Sequence, residues 1–504
     1  MNPQRINRIT VLGGGSAGWM AATALATYLG KQASISLIES EEIGIVGVGE
    51  ASVPHIRQFN GQWLGIEETE FVKRTQGTVK LGIQFNDWGR LGDSYIHGFG
   101  AIGRSLGPLP FHQFWLKLFL AGRASAIGDY SAQTVMAPRG KFAPGDLNAS
   151  PDSPLAEIAY AYHFDAVLYA RYLREIAEAR GVKRIEAKVL EASLDPQDGR
   201  VSALKLDNGT SHSADFFIDC SGFRGVLIEQ ALKTGYHDWS HWLPCDRALA
   251  VPSAASATIT PYTRASARSA GWQWRIPLQH RVGNGYVYAS QFISDEQAAS
   301  TLLQGLDGAA LAEPRPLQFR TGMRKQCWHK NVVAIGLASG FLEPLESTSI
   351  YLAQSGITRL LSMFPDKTLN PLLIQRYNRE TEEEYQRIRD FLILHYHATE
   401  RNDTPFWDYC RTMSVPDSVS ETIAMFREDG RYFRQGEDFF ALPSWVQVML
   451  GQGILPRSYH PIVDDMPEAN LLQHVEGFRS MLMQAVDSMP THQQWLQRYW
   501  QAAG

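Results

Sequence analysis

A glycine-rich turn between an apolar strand and an apolar helix, within the first forty residues, restricts the fold of this chain more than any other feature. Residues 8–12 (Arg-Ile-Thr-Val-Leu) predict a buried strand, and residues 13–18 (Gly-Gly-Gly-Ser-Ala-Gly) follow directly. An alanine-rich helical pattern comes next, and a second strand at residues 35–38 ends at Glu39. This order of strand, G-x-G-x-x-G turn, helix, strand and acid is typical of a βαβ unit that binds a dinucleotide.

Three glycines of the turn each have a different physical role. Gly13 permits the tight turn, Gly15 lets the backbone approach a pyrophosphate at the helix N-terminus, and Gly18 lets helix and strand pack closely. Glu39 is placed to accept a hydrogen bond from a ribose hydroxyl. The alternative is a glycine-rich turn that binds no ligand. The predicted cofactor contacts here are Gly13, Gly15, Ser16, Ala17, Gly18 and Glu39.

Composition argues against several classes of partner. The chain has 504 residues, of which 44% are hydrophobic and 20% charged, so it can bury a large core. Its net charge of −5 gives no broad positive field, and we therefore expect no nucleic-acid partner. The four cysteines contain no Cys-x-x-Cys pair, which predicts neither a metal site nor a disulfide framework. Without a signal peptide or a membrane-length apolar run, we expect no membrane contact and a cytoplasmic location.

Two further segments leave alternatives open. Residues 44–54 are dense in glycine and contain one acid, Glu50, which suits either a binding loop or a flexible surface loop. Residues 78–85 alternate strictly and predict one continuous strand with Val79, Leu81, Ile83 and Phe85 on one face. Lys80 falls on the other face, and by pattern alone a lysine so placed is a solvated strand residue.

The middle of the chain predicts an irregular insert and then a return to the nucleotide sheet. Residues 98–154 are rich in glycine and proline, which is typical of lids and binding loops. A helix at 165–179 precedes strands at 184–193, 201–206 and 216–219. A small antiparallel insert before the last of these strands suits a two-part FAD domain.

Paired tryptophans and a helical C-terminal part complete the pattern. Residues 271–277 and 285–292 predict a hairpin in which Trp272 and Trp274 share one face, as ordinary core or as a wall beside a cofactor. Helices are predicted at 350–362, 372–398, 417–427 and 468–485. We therefore predict an α/β fold: a Rossmann-type, hydroxylase-like FAD-binding and catalytic domain with an antiparallel insert over residues 1–365, and a mainly helical substrate-side cap over residues 366–504.

The stretch from residue 336 to 350 joins a predicted flavin-binding turn to two carboxylates. An apolar strand at residues 332–335 ends at Gly336-Leu337, which suits a ligand crevice at the end of a parallel strand. Glu343 and Glu346 then flank Pro344 and Leu345. By residue type, each is either a helix-end cap or a working group.

Several motifs in their proper order make the chain similar to the flavin-dependent halogenases of the tryptophan and indole type. The motifs are Gly13-x-Gly15-x-x-Gly18, Gly49-Glu50-Ala51-Ser52-Val53-Pro54, Lys80-Leu81-Gly82 with Asp87-Trp88, Trp272-x-Trp274-x-Ile276-Pro277, and Pro344-Leu345-Glu346-Ser347-Thr348-Ser349-Ile350. The tryptophan motif is the most specific of these, because related flavin hydroxylases lack it. The resemblance extends over nearly the full length.

The resemblance implies an activity and a set of cofactors. Family members take reduced FAD from a separate flavin reductase and use dioxygen to oxidise chloride or bromide to hypohalous acid. Lys80 would then pass electrophilic halogen to an aromatic carbon, with assistance from Glu346. The resemblance also assigns halide to the backbone amides of Thr348 and Ser349, places Glu50, Val189, Leu337 and Ile350 at FAD, and puts Trp272 and Trp274 between flavin and substrate. Dimers occur in the family, so a homodimer is a possible assembly.

Departures from the family pattern bear on halide and substrate. Ser349 stands where tryptophan-specific members carry glycine, which keeps a backbone amide but narrows its conformational freedom. The segment at residues 442–453 lacks the tyrosine pair and glutamate with which tryptophan halogenases hold the charged end of the amino acid. We therefore expect a small electron-rich aromatic substrate such as indole rather than free tryptophan.

Two other functions compete with halogenation. A flavin-dependent aromatic hydroxylase would transfer oxygen instead, but the tryptophan pair and Gly336-Leu337, where such hydroxylases carry Gly-Asp, argue against it. A non-catalytic flavin-binding protein would not need Lys80.

Overall fold

The computed structural model describes residues 4–42, 49–145, 153, 155–156, 158–434, 436 and 438–501. The strands are β1 (Arg8–Leu12), β2 (Ser34–Glu39), β3 (Gly49–Ala51), β4 (Thr78–Lys80), β5 (Gly82–Asn86), β6 (Ser94–Gly98), β7 (Ala161–Asp165), β8 (Lys183–Glu186), β9 (Val189–Leu194), β10 (Val201–Leu206), β11 (Ser211–His212), β12 (Phe216–Asp219), β13 (Tyr236–Asp238), β14 (Arg247–Ala254), β15 (Thr263–Arg268), β16 (Gly271–Pro277), β17 (Arg281–Tyr288), β18 (Arg315–Gln318), β19 (Gly322–Arg324), β20 (Trp328–His329), β21 (Val332–Ala334) and β22 (Gly340–Phe341). The helices are α1 (Ser16–Leu29), α2 (His55–Arg57), α3 (Glu68–Arg74), α4 (Phe111–Leu120), α5 (Ala132–Met136), α6 (Ala166–Ala179), α7 (Asp295–Gln304), α8 (Ser349–Ser362), α9 (Pro371–His397), α10 (Pro405–Thr412), α11 (Asp417–Asp429), α12 (Leu442–Gly451), α13 (Glu468–Asp487) and α14 (His492–Gln501).

The chain forms two compact units, and neither is continuous in sequence. The first consists of Met1–Gly77, Phe164–His241 and Gln318–Gln386, and the second of Thr78–His163, Trp242–Leu317 and Arg387–Gly504. This division differs from the predicted domain boundary at residue 365, which stays a prediction. The α/β class itself is confirmed.

The predicted βαβ unit is confirmed in the main sheet of the first unit. The sheet has the order β20-β21-β12-β1-β2-β8. β20 runs antiparallel to β21, and the other neighbouring strands are parallel. Apolar side chains such as Val11 and Leu37 are fully buried, as in parallel sheets covered by helices, and α1 packs against α6 and α8. The parallel strands therefore share one carboxyl-terminal edge, where the glycine-rich turn follows β1.

The predicted antiparallel insert is confirmed, with one correction. β9, β10 and β11 form a small antiparallel sheet. The single strand predicted over residues 184–193 is wrong, because β8 pairs with β2 whereas β9 pairs with β10. Between them the N–H of Ala187 donates to Glu39 O over 2.8 Å and the N–H of Lys188 to Asp207 Oδ1 over 3.0 Å. The chain thus leaves one sheet and enters another within two residues.

The second unit is built on a seven-stranded sheet of order β18-β14-β17-β16-β15-β5-β6. β5 and β15 are parallel, whereas β14, β17, β16 and β15 pair in antiparallel fashion. The predicted tryptophan hairpin is confirmed as β16 and β17. The continuous strand predicted over residues 78–85 is wrong: β4 pairs with β7, and after Leu81 the chain continues as β5 beside β15. The N–H of Leu81 donates to Pro261 O over 2.8 Å at this change of sheet.

The stretch predicted as a loop-rich insert, residues 98–154, contains two helices in its described part. α4 has its apolar face over Phe111, Phe114, Trp115 and Leu118, all buried, and α5 is buried throughout. Glycine and proline therefore mark the ends of these helices rather than a fully irregular lid. Residues 146–152 and 154 of the predicted insert lie outside the described residues.

The predicted C-terminal helices are confirmed as α8, α9, α11 and α13, with bounds that differ by up to two residues from the predicted ones. The structure adds α10, α12 and α14. These helices were missed because each has ten residues or fewer, which is shorter than the window over which helical periodicity can be recognised. Within the described ranges, no helix combines the length and the hydropathy needed to cross a membrane.

Candidate active site

Of the four glycines in the glycine-rich turn, only Gly15 has open space beside it. Gly13 has a φ of 116°, and a Cβ there would lie 2.2 Å from the carbonyl oxygen of Cys220. A Cβ at Gly18 would lie 1.9 Å from Gly13 O. A Cβ at Gly15 would meet no atom within 4 Å. Gly13 and Gly18 are therefore required by packing, whereas Gly15 faces space that a ligand can fill, which fits a pyrophosphate.

The N-terminus of α1 begins at this open side. Gly15 is its N-cap residue, no side chain caps the helix, and its first turn contains no acid. Helix N-terminal amides and the positive end of the helix dipole favour a phosphate in such a position. Gly336 approaches the same turn, since its φ is 67° and a Cβ there would lie 2.7 Å from Ala17 Cβ. The structure thus brings the turn containing half-buried Leu337 next to the start of α1.

Glu39 lies over the glycine-rich turn and is held by an arginine that the sequence reasoning missed. A Cβ at Gly14 would lie 1.4 Å from Glu39 Oε2, which leaves room for glycine alone. Arg184 Nε donates to Glu39 Oε1 over 2.6 Å, and both side chains are largely buried. The register of the strands explains this pair. β2 and β8 are parallel neighbours in which Arg184 lies opposite Leu37, two residues before Glu39. The carboxylate is therefore fixed at the edge where a ribose is expected.

Two other predicted flavin contacts belong to the first unit but differ in their surroundings. Glu50 lies in β3, and burial raises the pKa of its carboxyl to about 7. Val189 begins β9 and packs, half-buried, on a core that includes Leu204 and Leu206. Residues 44–48 of the second glycine-rich segment lie outside the described residues.

The segment from residue 336 to 350 contains two short 3-10 turns and then α8. The second turn, Pro344–Glu346, buries Glu346, which is 1% exposed, and Glu343 before it is also buried. Ser347 adopts the left-handed conformation with a φ of 60°. No side chain caps α8, whose N-cap residue is Thr348. Glu346 is therefore not the cap of this helix, which was its alternative role.

The N-terminus of α8 has the features of an anion site. Its first turn contains no acid, and the predicted halide residues Thr348 and Ser349 occupy the N-cap and first helical positions. Thr348 Oγ1 is buried and makes no hydrogen bond to any described residue. Ile350, the next residue, is buried. The first amides of a helix have no intrahelical partners and attract anions.

Lys80 is buried, in contrast to the solvated strand residue that its pattern alone suggested. Its side chain is 0% exposed at the end of β4, where it pairs with Ala161 of β7. The ammonium Nζ lies 5.1 Å from the centre of the Phe99 ring. His163, two residues further along β7, has a pKa well below its usual range because of burial and the charge of Lys80. A lysine in such surroundings can position or activate a small reactant.

The two tryptophans of the predicted motif are in contact and buried. The Trp272 and Trp274 ring centres are 6.2 Å apart, and the ring centre of Trp88 lies 6.5 Å from that of Trp272. Gly285 of β17 lies under Trp274, because a Cβ there would be 2.0 Å from Trp274 Cζ2. Trp274 Nε1 is buried without a hydrogen-bond partner among the described residues. Burial suits both roles considered for the pair, core and cofactor-side wall.

The segment at residues 442–453, which lacks the tyrosine pair of tryptophan halogenases, forms most of α12. Gln447 is buried and bonds Gly98 twice, accepting from its N–H over 3.0 Å and donating to its carbonyl over 3.1 Å. His97 before Gly98 contacts the Phe391 and Phe440 rings at 5.8 and 6.3 Å between centres. An aromatic cluster of His97, Phe391 and Phe440 thus adjoins Gly98 in β6, and the sequence reasoning missed these residues.

No group of three or more metal-ligating side chains occurs in the part of the chain that the structure describes. None of the four cysteines, all of which are described, forms a disulfide.

Comparison with known proteins identifies the family. The family model described as tryptophan halogenase matches residues 8–468. The chain belongs to the tryptophan halogenase family. It is 35% identical to the tryptophan 6-halogenase SttH of Streptomyces toxytricini, over 97% of this chain and 98% of that protein. It is 33% identical to the tryptophan 7-halogenase RebH of Lentzea aerocolonigenes, over 92% and 93%.

Solved structures of halogenases share the fold. The flavin-dependent halogenase Xcc4156 from Xanthomonas campestris is 48% identical with a TM-score of 0.94, covering 98% of both chains. The flavin-dependent halogenase BrvH from Brevundimonas sp. BAL3 is 43% identical with a TM-score of 0.94, covering 98% of this chain and 99% of that one. The Rossmann-type FAD-binding fold and the resemblance inferred from the motifs are therefore confirmed.

Membership of the family establishes the reaction class. The protein is a FAD-dependent halogenase, which uses FAD and halide and receives its flavin from a separate reductase. Halogenases of this kind act on small aromatic substrates. The alternative function as a hydroxylase has no support among these relatives.

Proposed function

We propose that this halogenase passes electrophilic halogen through Lys80 to an electron-rich arene such as indole. The observation that carries the proposal is the full burial of Lys80 beside the Phe99 ring, because a buried lysine needs a functional or structural reason. Reduced FAD, when bound, supplies the two electrons with which dioxygen and halide become water and hypohalous acid.

Lys80 acts on hypohalous acid in one of two ways. As an ammonium it donates a hydrogen bond to the oxygen of the acid, which makes the halogen more electrophilic. As an amine it takes the halogen, releasing water and forming an N–halogen bond. In both cases the arene carbon attacks the halogen: in the first the oxygen leaves as water on taking the Lys80 proton, and in the second the Lys80 nitrogen leaves as the amine on taking a proton. The attacked carbon then loses its own proton. We assign that proton to the Glu346 carboxylate, in line with the family motif and with the burial of Glu346.

The halide and the flavin have separate proposed sites. We assign halide to the backbone amides at Thr348 and Ser349, a proposal supported by the uncapped, acid-free N-terminus of α8. We assign the FAD pyrophosphate to the turn with Gly13, Gly15, Ser16, Ala17 and Gly18, and the ribose to Glu39. Open space at Gly15 supports this assignment. The remaining proposed flavin contacts are Glu50, Val189, Leu337 and Ile350.

The tryptophan pair is proposed to separate flavin from substrate. A wall of two large rings would keep the arene from direct oxygen transfer, so that only the small hypohalous acid reaches Lys80. Burial of Trp272 and Trp274 supports a rigid wall, and the absence of a side chain at Gly285 lets the Trp274 ring approach the neighbouring strand closely.

An arene without an amino-acid tail is the proposed substrate. α12 carries Gln447 and Trp445 toward the interior and offers no carboxylate or tyrosine in the segment where tryptophan halogenases bind the charged end. Identity points the same way, because the chain is 48% and 43% identical to two halogenases described without a tryptophan specificity and 35% identical to the tryptophan 6-halogenase SttH.

Three broader assignments accompany the proposal. We propose a cytoplasmic location, supported by four cysteines that form no disulfide in the described chain. We propose residues 1–365 as the flavin and catalytic domain and residues 366–504 as the substrate-side cap. A homodimer is proposed from the family resemblance alone.

A competition assay tests the proposed substrate. Purified protein, FAD, a flavin reductase and bromide are incubated with equal concentrations of indole and free tryptophan, and products are measured by mass spectrometry. We expect the bromine isotope pattern on indole with a specificity constant about tenfold above that for tryptophan, which corresponds to about 1.4 kcal/mol. Equal Michaelis constants and comparable turnover would contradict the substrate assignment, and an added oxygen without bromine would contradict halogenation.

A further inference from the structure

Two buried histidines hold the short strand that carries Lys80. β4 has three residues, and β7 is its strand neighbour in an arrangement that leaves β4 at the edge of the sheet. His163 of β7 is opposite Thr78, and His492 is the first residue of α14. Both imidazoles are at most 1% exposed. Neither histidine belongs to a motif by which the family was recognised.

The hydrogen bonds of His163 fix its tautomer. The Thr78 hydroxyl has a single proton and donates it to Pro277 O over 2.7 Å. Its oxygen can therefore only accept from His163 Nδ1–H, at 3.0 Å. His163 Nε2 consequently accepts from the Thr263 hydroxyl, at 2.9 Å. A chain of hydrogen bonds thus runs from Thr263 through the neutral His163 imidazole and Thr78 to the carbonyl of Pro277, the last residue of the tryptophan motif.

His492 has the same tautomer and holds the backbone of β4. The N–H of Val79 donates to His492 Nε2 over 3.1 Å. The other ring nitrogen, Nδ1, lies 3.0 Å from Ile259 O and must carry the proton, because a carbonyl oxygen only accepts. At the edge of a sheet the Val79 amide would otherwise be a buried donor without a strand partner, which costs stability. The imidazole therefore takes the place of a missing neighbouring strand.

The electrostatics agree with neutral rings. Burial lowers the pKa of His492 to about 4. Burial, and then the charge of Lys80, lowers the pKa of His163 well below its usual range. Protonation at either Nε2 would turn an acceptor into a donor that faces another donor. It would also add a positive charge close to the Lys80 ammonium.

We propose that His163 and His492 are positioning residues for Lys80, which as neutral Nδ1–H imidazoles lock β4 to the tryptophan strand and keep the lysine amine in its reactive place. The inference rests on the proposed role of Lys80 as the halogen carrier. His163 acts through Thr78 and His492 through Val79, so the strand is held by a side chain and by its backbone immediately before Lys80. A displacement of about 1 Å in a reacting group can lower a rate by about a hundredfold.

Two pairs of matched variants test the proposal in the full-length protein. His492→Leu removes the acceptor for the Val79 amide, whereas His492→Gln retains a carbonyl oxygen that can accept from it. Thr263→Val removes the hydroxyl that donates to His163 Nε2, whereas Thr263→Ser retains it. Each protein is assayed with reduced FAD, dioxygen and bromide, with and without indole. The readouts are kcat and KM for bromoindole, hypobromous acid trapped by taurine when indole is absent, and Tm.

We expect His492→Leu and Thr263→Val to lower kcat for bromoindole by about tenfold to a hundredfold, with an indole KM within about twofold of wild type and an unchanged yield of trapped hypobromous acid. His492→Gln and Thr263→Ser should recover most of kcat. If His492→Leu does not fold, the comparison of Thr263→Val with Thr263→Ser tests the proposal. Ring ¹⁵N chemical shifts of histidine-labelled protein, assigned with His163→Gln and His492→Gln, should show both Nδ1–H tautomers at neutral pH.

Four outcomes would overturn the proposal: wild-type kcat in both His492→Leu and Thr263→Val, equal loss in the conservative variants, a parallel fall in trapped hypobromous acid, or Nε2–H tautomers. Lys80→Met, assayed beside them, separates this inference from the proposed function. If Lys80→Met keeps wild-type bromoindole formation, the role of Lys80 itself is wrong. If Lys80→Met loses the product while His492→Leu and Thr263→Val keep it, only the positioning role is wrong.

Discussion

Gln447 of α12 and Gly98 of β6 exchange two hydrogen bonds, with the amide oxygen accepting from the Gly98 N–H over 3.0 Å and the amide nitrogen donating to the Gly98 carbonyl over 3.1 Å. A side-chain amide here pairs with the backbone as a neighbouring strand would. Gly98 stands between His97 and Phe99, and the centre of the Phe99 ring lies 5.1 Å from Lys80 Nζ. The pair therefore connects the stability of this region with its fit to an arene.

Replacement of Gln447 by the isosteric methionine should destabilise the protein and weaken arene binding. Gln447→Met leaves the Gly98 N–H and carbonyl without their partner in a buried place, which costs about 2 kcal/mol. The urea midpoint should fall and the KM for indole should rise. Gln493→Met, on the exposed face of α14, is the control. An equal urea midpoint for both variants would show that the Gly98 pairing contributes nothing.

Two glycines of the nucleotide turn should respond differently to alanine. A Cβ at Gly15 meets no protein atom within 4 Å, so Gly15→Ala should fold normally but weaken FAD binding by about tenfold, because the methyl group occupies the proposed pyrophosphate space. A Cβ at Gly18 would lie 1.9 Å from Gly13 O, so Gly18→Ala should lower the free energy of unfolding by about 3 kcal/mol. Flavin fluorescence titration and Tm separate the two effects. Wild-type FAD affinity in Gly15→Ala would contradict the assigned pyrophosphate site.

An added carboxylate at the start of α8 should compete with halide. Ser349→Asp places a negative charge in the first helical turn, where the helix dipole stabilises it by about 0.5 kcal/mol. The same charge should raise the KM for bromide by about tenfold. Ser349→Asn, which is neutral and similar in size, is the control. An unchanged bromide KM in Ser349→Asp would place the halide elsewhere.

The buried Glu50 carboxyl should make the stability of the apoprotein depend on pH. Its pKa is about 7 in the folded protein, whereas an ordinary glutamate carboxyl has a pKa of 4.5. Between these values the folded chain keeps a proton that the unfolded chain has lost, so stability falls as pH rises through this window. Glu50→Gln should remove that fall. The Tm of the variant minus the Tm of the wild type should therefore increase from pH 5 to pH 7 and stay constant above pH 7. Exposed Glu421→Gln is the control. A Tm difference independent of pH would contradict burial of the charged group.

Local patterns predicted the nucleotide turn, whereas Lys80 shows the limit of such patterns. The βαβ unit depends on neighbouring residues, so Gly13, Gly18 and Glu39 could be interpreted in sequence order. The strand that carries Lys80 pairs with β7 and bonds His492, which lie about 80 and 412 residues further along the chain. No periodicity within residues 78–85 contains that information. The family motif, rather than the pattern, gave the lysine its role.

The same limit explains the strands that were predicted as continuous but are broken. In residues 78–85 and 184–193 the change of sheet is set by hydrogen bonds to segments distant in sequence, Pro261 for the N–H of Leu81 and Asp207 for the N–H of Lys188. The local sequence pattern of either stretch does not contain these partners. Arg184 was missed as the partner of Glu39 for a related reason. Its contact follows from the pairing of β8 with β2, which only the three-dimensional register reveals.

The most direct measurement of the central claim is a single turnover of Lys80→Met with pre-reduced FAD, dioxygen, bromide and indole, quenched rapidly and analysed by mass spectrometry. Lys205→Met, at an exposed strand position, is the matched control. We predict that the wild type and the control form bromoindole, and that Lys80→Met forms none above background while oxidised FAD appears at the wild-type rate. Bromoindole at the wild-type yield from Lys80→Met would contradict the transfer of halogen through Lys80.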